Sequence, residues 1–354
     1  MHAFPSRVLE AEHDNWSSHV RKPVTALSMS PAAAAAVFRP RYLEALREVC
    51  DLAPLPVLDD LTGDRAKGVL ADVEVLVTSW GCPRLDEDAL AAAPRLKAVV
   101  HAAGTVRRHI TDACWDRGIE VSSAAAANAL PVAEYTLGMI LLYGKHVLER
   151  AREYRRTRKR GDWLSVPHAV GNYRSTVGIL SASLIGRRVI ELLRPFDHDV
   201  LLYDPYVTQT EADELGVELV GLPELFSRSD LLSVHAPLLP ATHGLVSREL
   251  LNAMRPGAVL INTSRGAVID QDRLTDVVRA GRIRAVLDVT DPDVLPPGHA
   301  LWDCPNVLLT PHLAGSQGNE WERLAGTAVD EVARWAAGDG FTHPVRRERL
   351  AFQA

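Results

Sequence analysis

Short apolar runs alternate with amphipathic stretches along nearly the whole chain. Residues 24–28, 52–58, 73–78, 96–100 and 119–122 read as strands covered on both faces. Helical patterns lie between them at 87–93 and 111–117. A longer one opens at Pro31 and runs through an alanine stretch to about Cys50, with Val37, Tyr42, Leu43 and Leu46 on its apolar side. Another starts at Pro131 and keeps its period through Leu148 to about Lys159, long enough to bridge two units. Beyond it the pattern predicts strands at 177–180, 200–203, 231–233, 258–262, 285–288 and 307–309, with helices at 184–193, 248–254, 270–280 and 319–337. Such alternation predicts an α/β protein with two doubly wound parallel sheets, the second of six strands. Residues before about Lys22 read as a loose N-terminal arm.

One strand–helix–strand unit carries more than architecture. The run Val177-Gly178-Ile179-Leu180 leads through a small-residue turn into a helix with Ile185, Val189, Ile190, Leu192 and Leu193 on one side. The next run, Val200-Leu201-Leu202-Tyr203, ends at Asp204. That is the order of a dinucleotide-binding unit, with the acidic residue placed to accept from an adenosine ribose and to repel a 2′-phosphate. No arginine follows Asp204, only Pro205-Tyr206, so NAD is favoured over NADP. The turn departs from G-x-G-x-x-G, with Ser181, Ser183 and Gly186 at the glycine positions. NAD is still expected to bind at this turn, with the helix N-terminus offering its dipole to the pyrophosphate.

Composition narrows the class. With 354 residues and 47% hydrophobic content the chain is long enough for two domains with ample core. A net charge of -6 gives no general attraction to nucleic acid or anionic membrane. The basic run in ERAREYRRTRKRGDW reads as a solvated helix end that complements the helix dipole. Cys50, Cys82, Cys114 and Cys304 are scattered, without zinc-site spacing, which fits a reducing cytoplasm. The longest apolar run, near residues 136–143, is short for a membrane span.

Three polar residues follow apolar strands in the second unit, where open α/β sheets place their ligand crevice: Arg265, Asp293 and His312. Together they supply an anion clamp, a carboxylate and an acid/base that works near neutral pH.

The strings that hold them, NTSRGAVID and LDVTDPDVLPPGHALWDCPNVLLTPHLAGS, together with HAPLLPATHGLVSRELLNAMRPGAVLIN and NALPVAEYTLGMILL, resemble the D-isomer-specific 2-hydroxyacid dehydrogenases. That family includes phosphoglycerate dehydrogenase, glyoxylate/hydroxypyruvate reductases, and phosphite and formate dehydrogenases. The resemblance covers about residues 73–316. It implies a Rossmann NAD-binding domain, residues 125–313, inserted into a flavodoxin-like substrate domain, residues 1–124 and 314–354, with crossings near Asn128 and His312. The implied reaction is NAD-dependent interconversion of a small 2-oxo acid and its D-2-hydroxy acid. Arg265 would grip the substrate carboxylate and carbonyl, with backbone N–H groups of Ala103, Gly104 and Thr105 from the other domain. His312 would be the acid/base, and Asp293 its carboxylate partner where the family usually has glutamate. That exchange shortens the reach by one methylene. Implied cofactor contacts come from Ser181, Ser183, Leu184, Ile185, Asp204, His235, Ala236, Pro237, Thr242, Thr263, Asp288 and His312. Trp80, His101, Trp302 and Trp321 would wall the pocket, and a homodimer is expected through the Pro131 helix. Two alternatives are a phosphonate- or phosphite-type substrate, which the arginine would also accept, and a weakly catalytic relative that senses NAD or binds a partner.

Overall fold

The structure is a computed structural model that describes residues 21–54, 57–162, 164–168 and 170–350. The proposed N-terminal arm, residues 1–20, lies outside the described residues. Two sheets organise the chain. The first contains β1 (Val24–Ser28), β2 (Asp51–Leu52), β3 (Val75–Thr78), β4 (Ala98–His101) and β5 (Glu120–Ser123). The second contains β6 (Thr176–Leu180), β7 (Asp199–Tyr203), β8 (Glu218–Leu219), β9 (Leu231–Val234), β10 (Val259–Asn262), β11 (Arg284–Leu287) and β12 (Val307–Leu309). A last strand, β13 (Pro344–Val345), returns to the first sheet and pairs antiparallel with β5. The orders are β13-β5-β4-β3-β1-β2 and β12-β11-β10-β9-β6-β7-β8. Apart from β13, every pairing is parallel. The first order is the flavodoxin-like one. The second is the Rossmann order with an added strand, and its direction of build-up reverses between β6 and β9.

The central strands β3, β4, β9 and β10 are buried at every residue, as a parallel sheet with helices on both faces requires. The helix Trp321–Ala337 packs Leu324, Ala325, Ala328 and Val332 into the core on one face of the first sheet, among Leu27, Val77 and Val100.

Several predicted elements are corrected. The second sheet has seven strands, because the two-residue β8 is too short to leave an apolar run. The helix expected from Pro31 to Cys50 is two helices, Pro31–Val37 and Pro40–Val49. Pro40 forces Arg39 into extended backbone, with ψ 158, and breaks the run there. The strand at 52–58 shrinks to β2 and an isolated bridge at Leu58. The helix Asp64–Leu70 gave no recognised pattern.

The long bridging helix starts earlier and stops earlier than its proline suggested. It spans Ala125–Gly144 with Pro131 inside, and a separate helix, Val147–Thr157, follows a left-handed His146. The first of these has 20 residues and an 18-residue window of mean hydropathy 1.3, so length and composition alone would let it cross a membrane. Here it packs along the helix Leu184–Leu193 and buries Ala133, Ile140 and Tyr143 in the core of the second sheet.

Candidate active site

The crevice lies at the C-terminal ends of the strands, where loops from both sheets meet. On the switch point, Leu180 and Val234 are paired neighbours, and the His235 N–H donates to the Leu180 carbonyl at 2.9 Å. Ser181 and His235 therefore stand side by side at the reversal.

Ser181 has a left-handed backbone, φ 82, the conformation for which the fingerprint ordinarily uses glycine. Its hydroxyl donates to Asp204 Oδ2 at 3.1 Å, and the Ala182 N–H donates to the same oxygen at 2.8 Å. The Tyr206 N–H donates to Asp204 Oδ1. The carboxylate expected to await a ribose thus also holds the turn together. Ser183 caps the helix Leu184–Leu193, its Oγ accepting from the Gly186 N–H at 3.3 Å. Gly186 is required: a Cβ there would stand 2.1 Å from the Ser181 carbonyl oxygen. Leu184 is exposed at the helix start, and Ile185 is half-buried.

These residues fit a dinucleotide. The turn keeps its close approach to the helix N-terminus, a carboxylate stands at the end of β7, and the side-chain nitrogens of buried His235 have no partner within the protein. Burial lowers the His235 imidazole to about 3, so it stays neutral. Ala236 and Pro237 follow it, and Thr242 closes the loop, its hydroxyl donating to the Pro237 carbonyl and accepting from the Leu239 N–H. Thr263 is buried beside Thr136, 3.4 Å between hydroxyls.

Arg265 follows β10 on a braced loop. The buried Asn262 side chain accepts from Ser264 and donates to the Arg265 carbonyl. The guanidinium donates to the Ser264 carbonyl at 2.6 Å. Burial and the nearby Arg108 lower its affinity for a proton, and Asp293 opposes them. Gly266 follows directly and lies against the Thr290–Asp291 peptide. The Asp293 loop is itself fixed: the Thr290 hydroxyl donates to the Pro292 and Asp293 carbonyls, and the Gln271 amide both donates to and accepts from Asp291.

His312 is exposed just past the C-terminal end of β12, with a left-handed backbone, φ 55. Asp288, only 2% exposed, explains how that conformation is held. Its carboxylate accepts from the Thr310 hydroxyl at 2.6 Å and from the Leu313 and Ala314 N–H groups, and its carbonyl accepts the His312 N–H. Asp288, expected among the cofactor contacts, is committed to clamping the loop on either side of His312. No direct hydrogen bond joins Asp293 to His312 among the described residues. The Asp293 charge also opposes the lowering of Arg265 by burial and Arg108.

From the first sheet, Ala103 is buried while Gly104 and Thr105 reach the crevice edge. The Asn128 amide packs against Gly104 and Gly315 and accepts from the Ser316 N–H, tying both chain crossings together. Behind this loop, Thr78 Oγ1 bridges His101 Nδ1 at 2.9 Å and His109 Nε2 at 3.3 Å. His101 is thus buried rather than a pocket wall, and Trp321 donates to the Ser316 carbonyl; Trp80 and Trp302 are exposed. The sequence marks Asn128 only as a crossing, and Arg108 carries no sequence signal, since consecutive arginines on a turn look like ordinary surface charge. Among the described residues no cluster of His, Cys, Asp and Glu could hold a metal ion.

Comparison with known proteins agrees with this geometry. The family model for the D-isomer specific 2-hydroxyacid dehydrogenase, NAD binding domain, matches residues 138–314. The D-3-phosphoglycerate dehydrogenase of Mycobacterium leprae is 35% identical over 265 residues, 73% of this chain and 48% of that protein. The glyoxylate reductase of Korarchaeum cryptofilum is 30% identical over 275 residues, 76% of this chain and 81% of that one. This chain therefore spans about half the length of the phosphoglycerate dehydrogenases it matches. The fold is similar to that of D-lactate dehydrogenase from Aquifex aeolicus complexed with NAD and lactic acid, with TM-score 0.67 and 27% identity over 89% of this chain and 96% of that one.

Proposed function

The chain belongs to the D-isomer specific 2-hydroxyacid dehydrogenase family, and from that premise we propose that it interconverts a small 2-oxo acid and its D-2-hydroxy acid with NAD. Ser181, Ser183, Leu184, Ile185 and Asp204 would hold the dinucleotide, with His235, Ala236, Pro237, Thr242 and Thr263 along its path. Bound NADH supplies the hydride that the carbonyl carbon receives. The Arg265 guanidinium takes the substrate carboxylate and polarises the carbonyl, with N–H groups of the Ala103-Gly104-Thr105 loop on the other side. His312 gives the carbonyl oxygen its proton and, in the reverse direction, removes the hydroxyl proton. Asp293 favours the charged clamp.

The observation that carries this reading is the left-handed His312 held by Asp288. A backbone conformation that disfavours side chains is maintained by four hydrogen bonds to one buried aspartate, at the C-terminal end of β12 where the imidazole is exposed. NADH oxidation across glyoxylate, pyruvate, hydroxypyruvate and longer 2-oxo acids tests it, with His312→Ala expected to lower kcat by about 10²–10⁴-fold. NADH binding without turnover of any acid would favour the NAD-sensing alternative.

Residues 1–124 and 314–354 are assigned to the substrate domain and 125–313 to the cofactor domain. Homodimerisation through the helix Ala125–Gly144 is supported by its apolar composition, since only 33% of its most apolar window is buried within one chain. A monomer in sedimentation would refute it. Four free thiols suit a reducing cytoplasm.

A further inference from the structure

The helix Ala125–Gly144 touches both loops that carry the proposed chemistry, and it does so from adjacent residues. Tyr135 is half-buried, and its hydroxyl lies 3.0 Å from Thr310 Oγ1. Thr310 has one hydroxyl proton, which it gives to Asp288 Oδ1 at 2.6 Å. The Tyr135 hydroxyl is therefore the donor to Thr310, and burial raises the phenol pKa, so that the proton stays on it. The line from Tyr135 through Thr310 ends on the carboxylate that clamps the His312 loop at Leu313 and Ala314.

Thr136 makes the second contact. It is buried, and its hydroxyl donates to the Val132 carbonyl at 2.8 Å, one turn back. The Thr263 hydroxyl, 3.4 Å away, must then donate to Thr136 Oγ1. Thr263 directly follows β10 and stands two residues before Arg265. Two turns earlier on the same helix, Asn128 accepts from the Ser316 N–H and packs against Gly104. One helix thus holds the Arg265 loop, the His312 loop and the domain crossing in a single frame.

We propose that Tyr135 and Thr136 are positioning residues that set His312 and Arg265 relative to each other from one helix. This rests on the roles given to His312 and Arg265 above. Neither residue touches substrate in this scheme. Tyr135 acts on the proton step, by orienting the clamp around His312, and Thr136 acts on the hold on substrate, through the Arg265 loop. Two neighbours in sequence should therefore affect different kinetic constants, whereas residues that only fill the core would affect both alike.

The test measures kcat and KM for the best 2-oxo acid at saturating NADH. Tyr135→Phe should lower kcat about 3–10-fold, the fold-change of one neutral hydrogen bond, and leave KM within about twofold. Thr136→Val should raise KM about 3–10-fold with a smaller change in kcat, and Thr136→Ser, which keeps the hydroxyl, should restore it. The variant that combines Tyr135→Phe with Thr310→Val should be no slower than Thr310→Val alone, because both remove the same line. Proportional changes in kcat and KM in both single variants, no change in either, or an additive loss in the combined variant overturns the inference and leaves the dehydrogenase reading standing. Should Thr136→Val fail to fold, Tyr135→Phe and its combination with Thr310→Val decide alone. If no acid is reduced, the His312 ring signal in the NMR spectrum of the NADH complex, assigned by its loss in His312→Ala, decides separately. A signal that moves in Tyr135→Phe upholds the positioning line while the catalytic reading fails, and a signal that stays in place ends both.

Discussion

Gly266→Ala tests how closely the clamp depends on its neighbour loop. A Cβ at this position would stand 2.1 Å from the Thr290 carbonyl carbon, 2.3 Å from its oxygen and 2.5 Å from the Asp291 nitrogen. All three atoms are backbone, so no side-chain rotation relieves the overlap. Ordinary contact is restored only if the two loops part by roughly 1 Å, an overpacking that costs about 1–3 kcal/mol. The loop that moves carries Arg265 at its preceding residue, and the other carries Asp293. A displacement of about 1 Å in a positioning group lowers the rate on the order of 10²-fold. Steady-state kcat/KM on the best 2-oxo acid should therefore fall about 10²-fold, with the melting temperature of the variant lowered by several degrees, about 2–4 °C per kcal/mol. Gly68→Ala is the matched control, because it lies in a helix with nothing within 4 Å of the added Cβ. It should be neutral or slightly stabilising. If Gly266→Ala retains kcat/KM within threefold and melts with the wild type, the packing argument for the Arg265 loop is wrong.

Three further predictions follow from the site. Asp288→Asn replaces one of the two carboxylate oxygens by an NH2 group, so that either the Leu313 or the Ala314 N–H faces a donor in place of its acceptor; it should cost about 1–3 kcal/mol and lower kcat while NADH affinity, read by fluorescence titration, changes less. Ser181→Ala keeps the left-handed backbone and loses the bond to Asp204, whereas Ser181→Gly also removes the conformational cost of about 1–2 kcal/mol. Melting and NADH titration should place alanine below both serine and glycine, and an alanine variant equal to wild type would dismiss the turn brace. Acid should destabilise the fold through its buried imidazoles. Burial lowers His109 to about 4 and His235 to about 3, and His101 also lies well below the usual 6.5. The unfolded chain takes up these protons near pH 6.5 and the folded chain does not, so stability is full above that pH and declines as pH falls toward 4. His109 alone accounts for about 3 kcal/mol across that window. Denaturant melts at pH 7 and pH 5 check the slope, and His109→Gln should flatten it.

What the sequence made legible is the part written in apolar periodicity. The parallel strands and the unit from β6 to β7 emerge because buried strands in a doubly wound sheet must be apolar throughout. Arg265 and His312 stand out in the sequence because they follow such strands, at positions the structure keeps at the ends of β10 and β12. Long-range matters were not. Pro131 reads as a helix start on local grounds, yet it sits inside a helix whose packing tolerates one missing amide donor. Residues Pro344 and Val345 form a strand only because β5 offers an open edge far back in the chain. Asp288 looked like one more polar residue at a strand end, and its clamp on His312 depends on β11 and β12 lying side by side. Whether Asp293 meets His312 depends on the set positions of two loops, which no local pattern reports.

The antiparallel return of β13 has a consequence for how the molecule comes into being. All seven strands of the second sheet are contiguous in the chain, so that sheet can assemble as soon as β12 has been made. The first sheet begins earlier but must wait for the helix Trp321–Ala337, which covers Leu27 and Val77, and for β13 to cover the edge of β5. During synthesis the first-made strands thus spend the longest time with an open edge and an uncovered apolar face, the state from which strands associate wrongly. Of the two sheets, the one whose strands come first in the chain is thus the one completed last.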